Sequence, residues 1–129
     1  MESAAHNGRV TNVDEALLSA RALVLHDLEV SGAADPASVS TLEEVVAARR
    51  WWVTEWDQAP AYVAGLVAQD LQDQLLEERG RWPLCPRCED ATHALYIHPD
   101  LGGPDPVWVC EETGQEVAPL GGLSGAAAT

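Results

Sequence analysis

The chain has 129 residues and a formal net charge of −14 at pH 7, with 21 acidic residues against 7 basic ones, all of them Arg. Its length fits one ordinary domain, and its charge argues against direct nucleic-acid binding, which rests largely on basic side chains that displace counterions. No apolar run approaches the roughly 20 residues of a membrane span, and the polar start lacks a signal-peptide layout, so we expect no membrane association and a cytoplasmic location.

The N-terminal portion is predicted to be helical after a disordered leader over residues 1–11. Asn12 is an N-cap candidate with Glu15 three residues later, which is the capping-box pattern, and apolar residues then recur at helical spacing. Ser31-Gly32 ends this first helix, and residues 31–40 form a linker of small residues.

Two further helices complete a predicted helical unit over residues 12–80. Ser40 with Glu43 is a second capping signal, and the second helix is expected to reach about Asp57. Pro60 suits the first turn of the third helix, and Gly80 suits its C-terminal end. The buried face of the second helix is expected to carry Leu42, Val45, Val46, Trp52, Val53 and Trp56.

The pattern changes beyond residue 80, where helical periodicity disappears and prolines become frequent. Two short β-type runs, residues 94–97 and 107–109, flank a loop over residues 99–106. Residues 116–119 form a candidate third strand at a sheet edge, because Pro119 has no N–H to donate. The sequence therefore predicts a β-hairpin subdomain over 81–120 and a flexible, Gly- and Ala-rich tail over 121–129.

All the cysteines of the chain, Cys85, Cys88 and Cys110, lie in this C-terminal region. The Cys-Pro-Arg-Cys spacing lets two thiolates face one ion, and Cys110 stands where a second metal-binding turn is expected. Thr113 occupies the position at which that turn usually has its second cysteine. Because a structural zinc site takes four ligands, the fourth has to come from elsewhere in the chain.

Two histidines compete for the fourth position. If residues 94–98 pair with residues 106–109, His93 lies opposite Cys110 and His98 lies at the loop end of the hairpin. A five-residue strand spans roughly 16 Å, so His98 is too far from Cys110 and His93 is the better ligand. The sequence predicts one structural Zn²⁺ per chain, bound by Cys85, Cys88, His93 and Cys110.

Two other uses of the cysteines compete with structural zinc. A Cys-Pro-x-Cys redox pair usually opens a helix after a strand, whereas a hairpin follows the motif in this chain. A catalytic zinc ion needs an open coordination position, and a four-ligand set leaves none. Structural zinc is therefore the favoured interpretation.

Several segments around the ligands resemble a known group of sequences: Trp82-Pro-Leu-Cys-Pro-Arg-Cys88, His93-Ala-Leu95, Trp108-Val-Cys110 and Thr113-Gly114. Over roughly residues 60–122 the chain is similar to small uncharacterised zinc-ribbon-like proteins of high-GC Gram-positive bacteria, with the pattern W-P-x-C-P-x-H/C…H-x-L…W-V-C. The resemblance implies a metal-binding turn and no particular activity. We therefore predict an α+β fold, in which an N-terminal three-helix unit is followed by a small zinc-ribbon-like β-hairpin subdomain.

The tryptophans give the remaining functional hints. Trp82 and Trp108 flank the ligands and are expected to cover the zinc site and join it to the helices. Trp51 falls off the apolar stripe of the second helix, beside Glu44 and Ala48, and is a candidate interface anchor because Trp is enriched at interface hot spots.

The sequence favours a non-enzymatic protein-interaction module with a structural zinc site, whose partner is an unknown protein or a second copy of the chain. Two alternatives remain open. One is a zinc-dependent hydrolase or other enzyme, and the other is a regulator that associates with nucleic acid through a basic partner.

Overall fold

A computed structural model describes residues 2–55, 57–88, 93–100 and 103–124, with side chains from residue 12 onward. Within these ranges, helices precede a three-stranded antiparallel sheet, which confirms the predicted α+β class. No helix in the described part of the chain is both long and apolar enough to cross a bilayer. The elements are α1 (Glu2–Val30), α2 (Pro36–Ala48), α3 (Arg50–Glu55), α4 (Ala59–Glu78), β1 (Leu95–His98), β2 (Val107–Cys110) and β3 (Glu116–Pro119).

The first helix begins upstream of its predicted start. The sequence predicts a disordered leader over residues 1–11, whereas α1 is helical from Glu2. Residues 2–11 contain no proline, and extending an existing helix avoids the cost of nucleation, so the backbone continues through Asn12. The end of α1 is as predicted, because Gly32 has a φ of 76°, the left-handed conformation that glycine favours after a helix.

The N-cap of the second helix lies five residues before the predicted capping signal at Ser40. Asp35 is the N-cap, and its carboxylate accepts a hydrogen bond of 2.8 Å from the Ser38 N–H. This hydrogen bond lowers the pKa of the Asp35 carboxyl. Pro36 follows in the first helical turn, where its missing N–H costs nothing. The predicted small-residue linker over residues 31–40 therefore shortens to residues 31–35.

Arg49 divides the predicted second helix into α2 and α3. Its guanidinium binds the Asp70 carboxylate on α4 through contacts of 2.6 and 3.0 Å, and it lies 5.5 Å from the centre of the Trp52 ring. Its backbone N–H is shared between the carbonyls of Val45 and Val46. Of the predicted apolar face, Trp56 lies outside the described residues.

The fourth helix carries most of the packing. Pro60 lies in its first turn and Gly80 follows its end with a φ of 108°, both as predicted. One side packs against α1 and α2, and another approaches the sheet, where a Cβ on Gly65 would lie 3.3 Å from both Ile97 and Pro106. The helices and the sheet thus share one apolar core, which includes Val13, Leu17, Ala20, Val24, Leu28, Val63, Val67, Leu71, Leu75, Leu95, Ile97 and Trp108.

The strand order is β1-β2-β3, which puts β3 and Pro119 at an edge as predicted. The predicted hairpin register is wrong by one or two residues, because Leu95 rather than His93 lies opposite Cys110 and Val107 rather than Pro106 lies opposite His98. The pairing between β1 and β2 ends at His98 and Val107. The residue that precedes Val107 is Pro106, which has no N–H to donate to a further pair.

Two tryptophans join the C-terminal subdomain to the end of α1 and the residue that follows it, which confirms that they connect this subdomain to the helices. The Trp108 indole N–H donates to an Asp27 carboxylate oxygen at 2.7 Å, and the Trp82 indole N–H donates to the Ser31 hydroxyl at 2.8 Å. The two rings meet edge to face with centres 5.6 Å apart. Edge-to-face contact is a favourable geometry for aromatic pairs.

The start of the predicted flexible tail is instead fixed to the helices. The backbone N–H groups of Gly121 and Leu123 donate to the Asp27 carboxylate at 2.7 and 3.1 Å, and Leu123 is buried. Asp27 is fully buried, so its carboxylate provides the acceptors that bring the chain back to α1. Residues 125–129 lie outside the described part of the chain.

Candidate metal centre

The turn that carries Cys85 and Cys88 is held next to His93 by a short antiparallel contact. The Cys85 N–H donates to the His93 carbonyl at 3.1 Å, and the Leu95 N–H donates to the Pro83 carbonyl at 2.8 Å. An isolated bridge between Leu84 and Ala94 completes this pairing. The segment before Cys85 thus runs beside the start of β1, and Cys85 and His93 become neighbours.

The second turn begins at Cys110, the last residue of β2. The Gly114 N–H donates to the Cys110 carbonyl at 2.9 Å, and the Cys110 N–H donates to the Gln115 carbonyl at 2.9 Å. Gly114 has a φ of 73°, which a residue with a side chain rarely adopts. The turn reverses the chain toward β3 and leaves the Cys110 sulfur facing the first turn.

The four predicted ligands, Cys85, Cys88, His93 and Cys110, come together in space. Their ligand atoms all lie within 4.8 Å of one another. The Cys88 sulfur is 3.8 Å from the Cys85 sulfur and 3.8 Å from the Cys110 sulfur, and the Cys110 sulfur is 3.5 Å from Nε2 of His93.

These separations fit a tetrahedral ion. With Zn–S bonds of about 2.3 Å and Zn–N bonds of about 2.0–2.1 Å, a regular tetrahedron has S···S edges of about 3.8 Å and S···N edges of about 3.5 Å. The three separations reported above match these edges. The cluster could therefore hold a metal ion.

The thiols of the cluster differ strongly in acidity. Hydrogen bonds from the side chain and backbone of Thr113 to the Cys110 sulfur, assisted by His93, lower the pKa of Cys110 to about 6. Hydrogen bonds to Cys110 and Cys85 raise the pKa of Cys88 to about 12. The surroundings thus favour the thiolate form at Cys110, and metal binding to these cysteines releases protons.

His93 has a clear orientation, with Nε2 toward the sulfur atoms and Nδ1 toward Glu112. Nδ1 lies 3.9 Å from a Glu112 carboxylate oxygen, which is longer than a hydrogen bond but on the side where metal-bound histidines have an acidic partner. His98 lies at the other end of β1 and is exposed. The structure therefore brings His93 to the cluster and keeps His98 away from it.

Three residues contribute to the surroundings of the cluster in ways that the sequence did not predict. Thr113 stands where a zinc ribbon usually has its fourth cysteine, and it forms hydrogen bonds to Cys110. Its place in the sequence was the signal that could have identified it as a neighbour of Cys110. Arg87, between the first two ligands, donates to the Val117 carbonyl of β3 at 3.2 Å. Glu112 carried no signal, because it is one of many acidic residues.

The histidine assignment predicts a sharp contrast between two variants. Because loss of an outer partner alone lowers metal affinity about 10- to 100-fold, His93→Ala should lower zinc affinity by more than about 100-fold. His98→Ala is the matched control and should be nearly silent. Competition with a chromogenic chelator measures both. Retention of zinc by His93→Ala with loss in His98→Ala would contradict the assignment.

Trp51 lies on α3, with 64 % of its surface exposed. A continuous helix would have placed Trp51 beside Glu44 and Ala48. The break at Arg49 instead puts Trp51 on a different helix from these two residues. It is not part of the metal cluster.

Comparison with known proteins gives a family but no characterised relative. A search of curated proteins and a search of solved structures each found no match. A family model described as a domain of unknown function, DUF8819, matches residues 13–120. The matched region covers the buried part of α1, all four residues of the cluster and the three strands. The chain therefore belongs to the DUF8819 family.

Proposed function

We propose that the protein is a cytoplasmic, non-enzymatic interaction module whose C-terminal part is a zinc ribbon built around one structural Zn²⁺. The observation that carries the metal assignment is the match between the donor separations and the edges of a tetrahedral site. Three thiolates and one imidazole form a donor set that zinc favours. The two turns that supply the ligands agree with the resemblance to zinc-ribbon-like proteins.

A structural role for the metal follows from the number of donors. Catalytic zinc sites have three protein ligands and keep the fourth position for water or substrate. This cluster has four donors within 4.8 Å of one another, which is the number a closed tetrahedral site takes, and Cys85 and Cys110 are buried. An enzyme would need one of these donors to leave the metal.

Cobalt substitution tests the closed site. The Co²⁺ form should show thiolate charge-transfer absorption and the intense visible bands of a tetrahedral ion, and added azide should leave the spectrum unchanged. A spectrum that changes with azide would reveal an open position and would favour the enzyme alternative.

The interaction role rests on charge and exposure. A net charge of −14 disfavours direct binding to nucleic acid and favours a partner with basic groups. Trp51 is highly exposed, although a tryptophan contributes most to the free energy of binding when it is buried in an interface. We propose that Trp51 is an anchor for a protein partner or for a second copy.

Trp51→Ala should weaken self-association or partner capture while leaving the melting temperature close to that of the wild type. Exposed side chains contribute little to folding, whereas a hot-spot residue contributes about 2 kcal/mol or more to binding. Sedimentation velocity, pull-down from the native host and thermal denaturation measure the three quantities. Trp52→Ala is the contrasting variant, because the half-buried Trp52 contacts Arg49 and its loss should lower stability. Unchanged association and capture in Trp51→Ala would contradict the role of Trp51.

A further inference from the structure

Two adjoining hollows form one groove between α1, the start of α4 and the sheet. They share Ala16, Pro60 and Ala61, and their volumes are about 370 Å³ for the inner hollow and about 560 Å³ for the outer one. We call this continuous depression the α1–α4 groove. Each hollow falls within the size range of protein sites that bind ligands or side chains.

The inner hollow of the groove is apolar and has a floor of small side chains. Ala16 and Ala20 come from α1, and Ala61 and Ala64 come from α4. The wall on the sheet side is formed by Pro106, Val107, Pro119 and Leu120. Four alanines leave a recess that no side chain of the described residues fills, and its shape suits one large apolar side chain of a partner.

The rim of the groove is acidic. Glu15 and Asp57 line the outer hollow, and Asp105 lines the inner one. Among the described residues that line the two hollows, none is basic. The apolar recess is thus bordered by negative charge on a chain that is already strongly acidic.

Charge complementarity selects the occupant. A second copy of the chain also carries −14 and has no lysine, so it would bring repulsion to an acidic rim. A nucleic acid is excluded by the same charge argument. A positively charged segment gains attraction at the rim while an apolar side chain is buried in the recess.

We propose that the α1–α4 groove docks a basic segment of another protein, with one large apolar side chain in the alanine-lined recess and a neighbouring Arg or Lys against Glu15. The proposal rests on the interaction role proposed above and names its partner class. It depends on neither Trp51 nor the identity of the metal.

Selection from a random dodecapeptide library on the full, metal-loaded protein tests the proposal. The selected peptides should have Arg or Lys beside Leu, Met or an aromatic residue. Fluorescence anisotropy of one labelled, selected peptide then gives its affinity for wild type and variants. Failure to select any peptide, or selection of acidic or uncharged sequences, would overturn the proposal.

Filling the recess provides the decisive variant. Ala61→Trp should weaken the selected peptide at least about tenfold, since it occupies the space of the anchor side chain. Ala37→Trp is the matched control, because Ala37 and Ala61 are both exposed and each directly follows the proline in the first turn of a helix. Equal affinity in wild type and Ala61→Trp would overturn the proposal.

A charge variant distinguishes the contribution of the acidic rim to peptide binding from the contributions of the recess and of Trp51. Glu15→Gln should weaken binding about three- to tenfold at low salt, and less at high salt, because the rim attraction is screened. Glu29→Gln makes the same change at another exposed position of α1 and should leave the affinity for the peptide unchanged. If Trp51→Ala abolishes binding while Ala61→Trp and Glu15→Gln leave it unchanged, the interaction role survives and the groove assignment is wrong.

Discussion

Replacing Cys85 by Ser is expected to abolish stoichiometric metal binding and to unfold the sheet. Cys85 is buried, and its N–H group also belongs to the pairing with His93. Structural zinc contributes roughly 10–16 kcal/mol of apparent binding free energy in small zinc-binding units, which is comparable to the whole stability of a domain. Elemental analysis should give one zinc per wild-type chain and none in the variant, with loss of the near-ultraviolet circular dichroism of Trp82 and Trp108.

Chelation provides the matching control for this variant. Removing zinc from the wild type should reproduce the spectral change, and adding zinc back should reverse it, because all four ligands remain. Added zinc should not restore Cys85→Ser. A reduced wild-type protein that binds no metal, or a variant that melts like the wild type, would contradict the structural role of the metal.

Asp27→Asn is expected to destabilise the fold by about 3 kcal/mol or more, because hydrogen bonds to a charged group contribute about 1.5–3 kcal/mol each. The buried carboxylate accepts three hydrogen bonds, from Trp108, Gly121 and Leu123. An asparagine has one acceptor oxygen, and its NH₂ group would face one of these donors. The urea midpoint measures the loss.

Glu29→Gln is the control for Asp27→Asn, since it makes the equivalent change at an exposed position of the same helix. Its urea midpoint should stay within the error of the wild type. An unchanged midpoint for Asp27→Asn would show that the carboxylate does not hold the sheet and the returning chain on α1.

The helices were predictable where local signals decide their ends. Pro60 and Gly80 mark the limits of α4 because their backbone preferences are intrinsic to those residues. The division at Arg49 could not be predicted, since its guanidinium is bound by Asp70 on another helix. The capping signal predicted at Ser40 was wrong, because the Asp35 carboxylate caps the helix and Pro36 follows it in the first turn.

The candidate ligands were predictable from residue type and spacing, although one step of the reasoning was wrong. His93 reaches the cluster through the pairing of the segment before Cys85 with the start of β1, rather than from a position opposite Cys110. His93 was nevertheless correctly preferred to His98 as the neighbour of the cysteines, because His98 lies at the far end of β1 in either register. Asp27 carried no signal, because its partners are more than 80 positions away along the chain.

The cluster of Cys85, Cys88, His93 and Cys110 is tested most directly by zinc X-ray absorption spectroscopy of the purified, reduced protein. The predicted first shell has three sulfur atoms at about 2.3 Å and one nitrogen at about 2.0–2.1 Å. In His93→Ala that has been loaded with excess zinc, the imidazole signal should disappear while the sulfur shell remains. A wild-type shell of nitrogen and oxygen only, or one that includes a coordinated water in place of a protein ligand, would contradict a closed Cys₃His site.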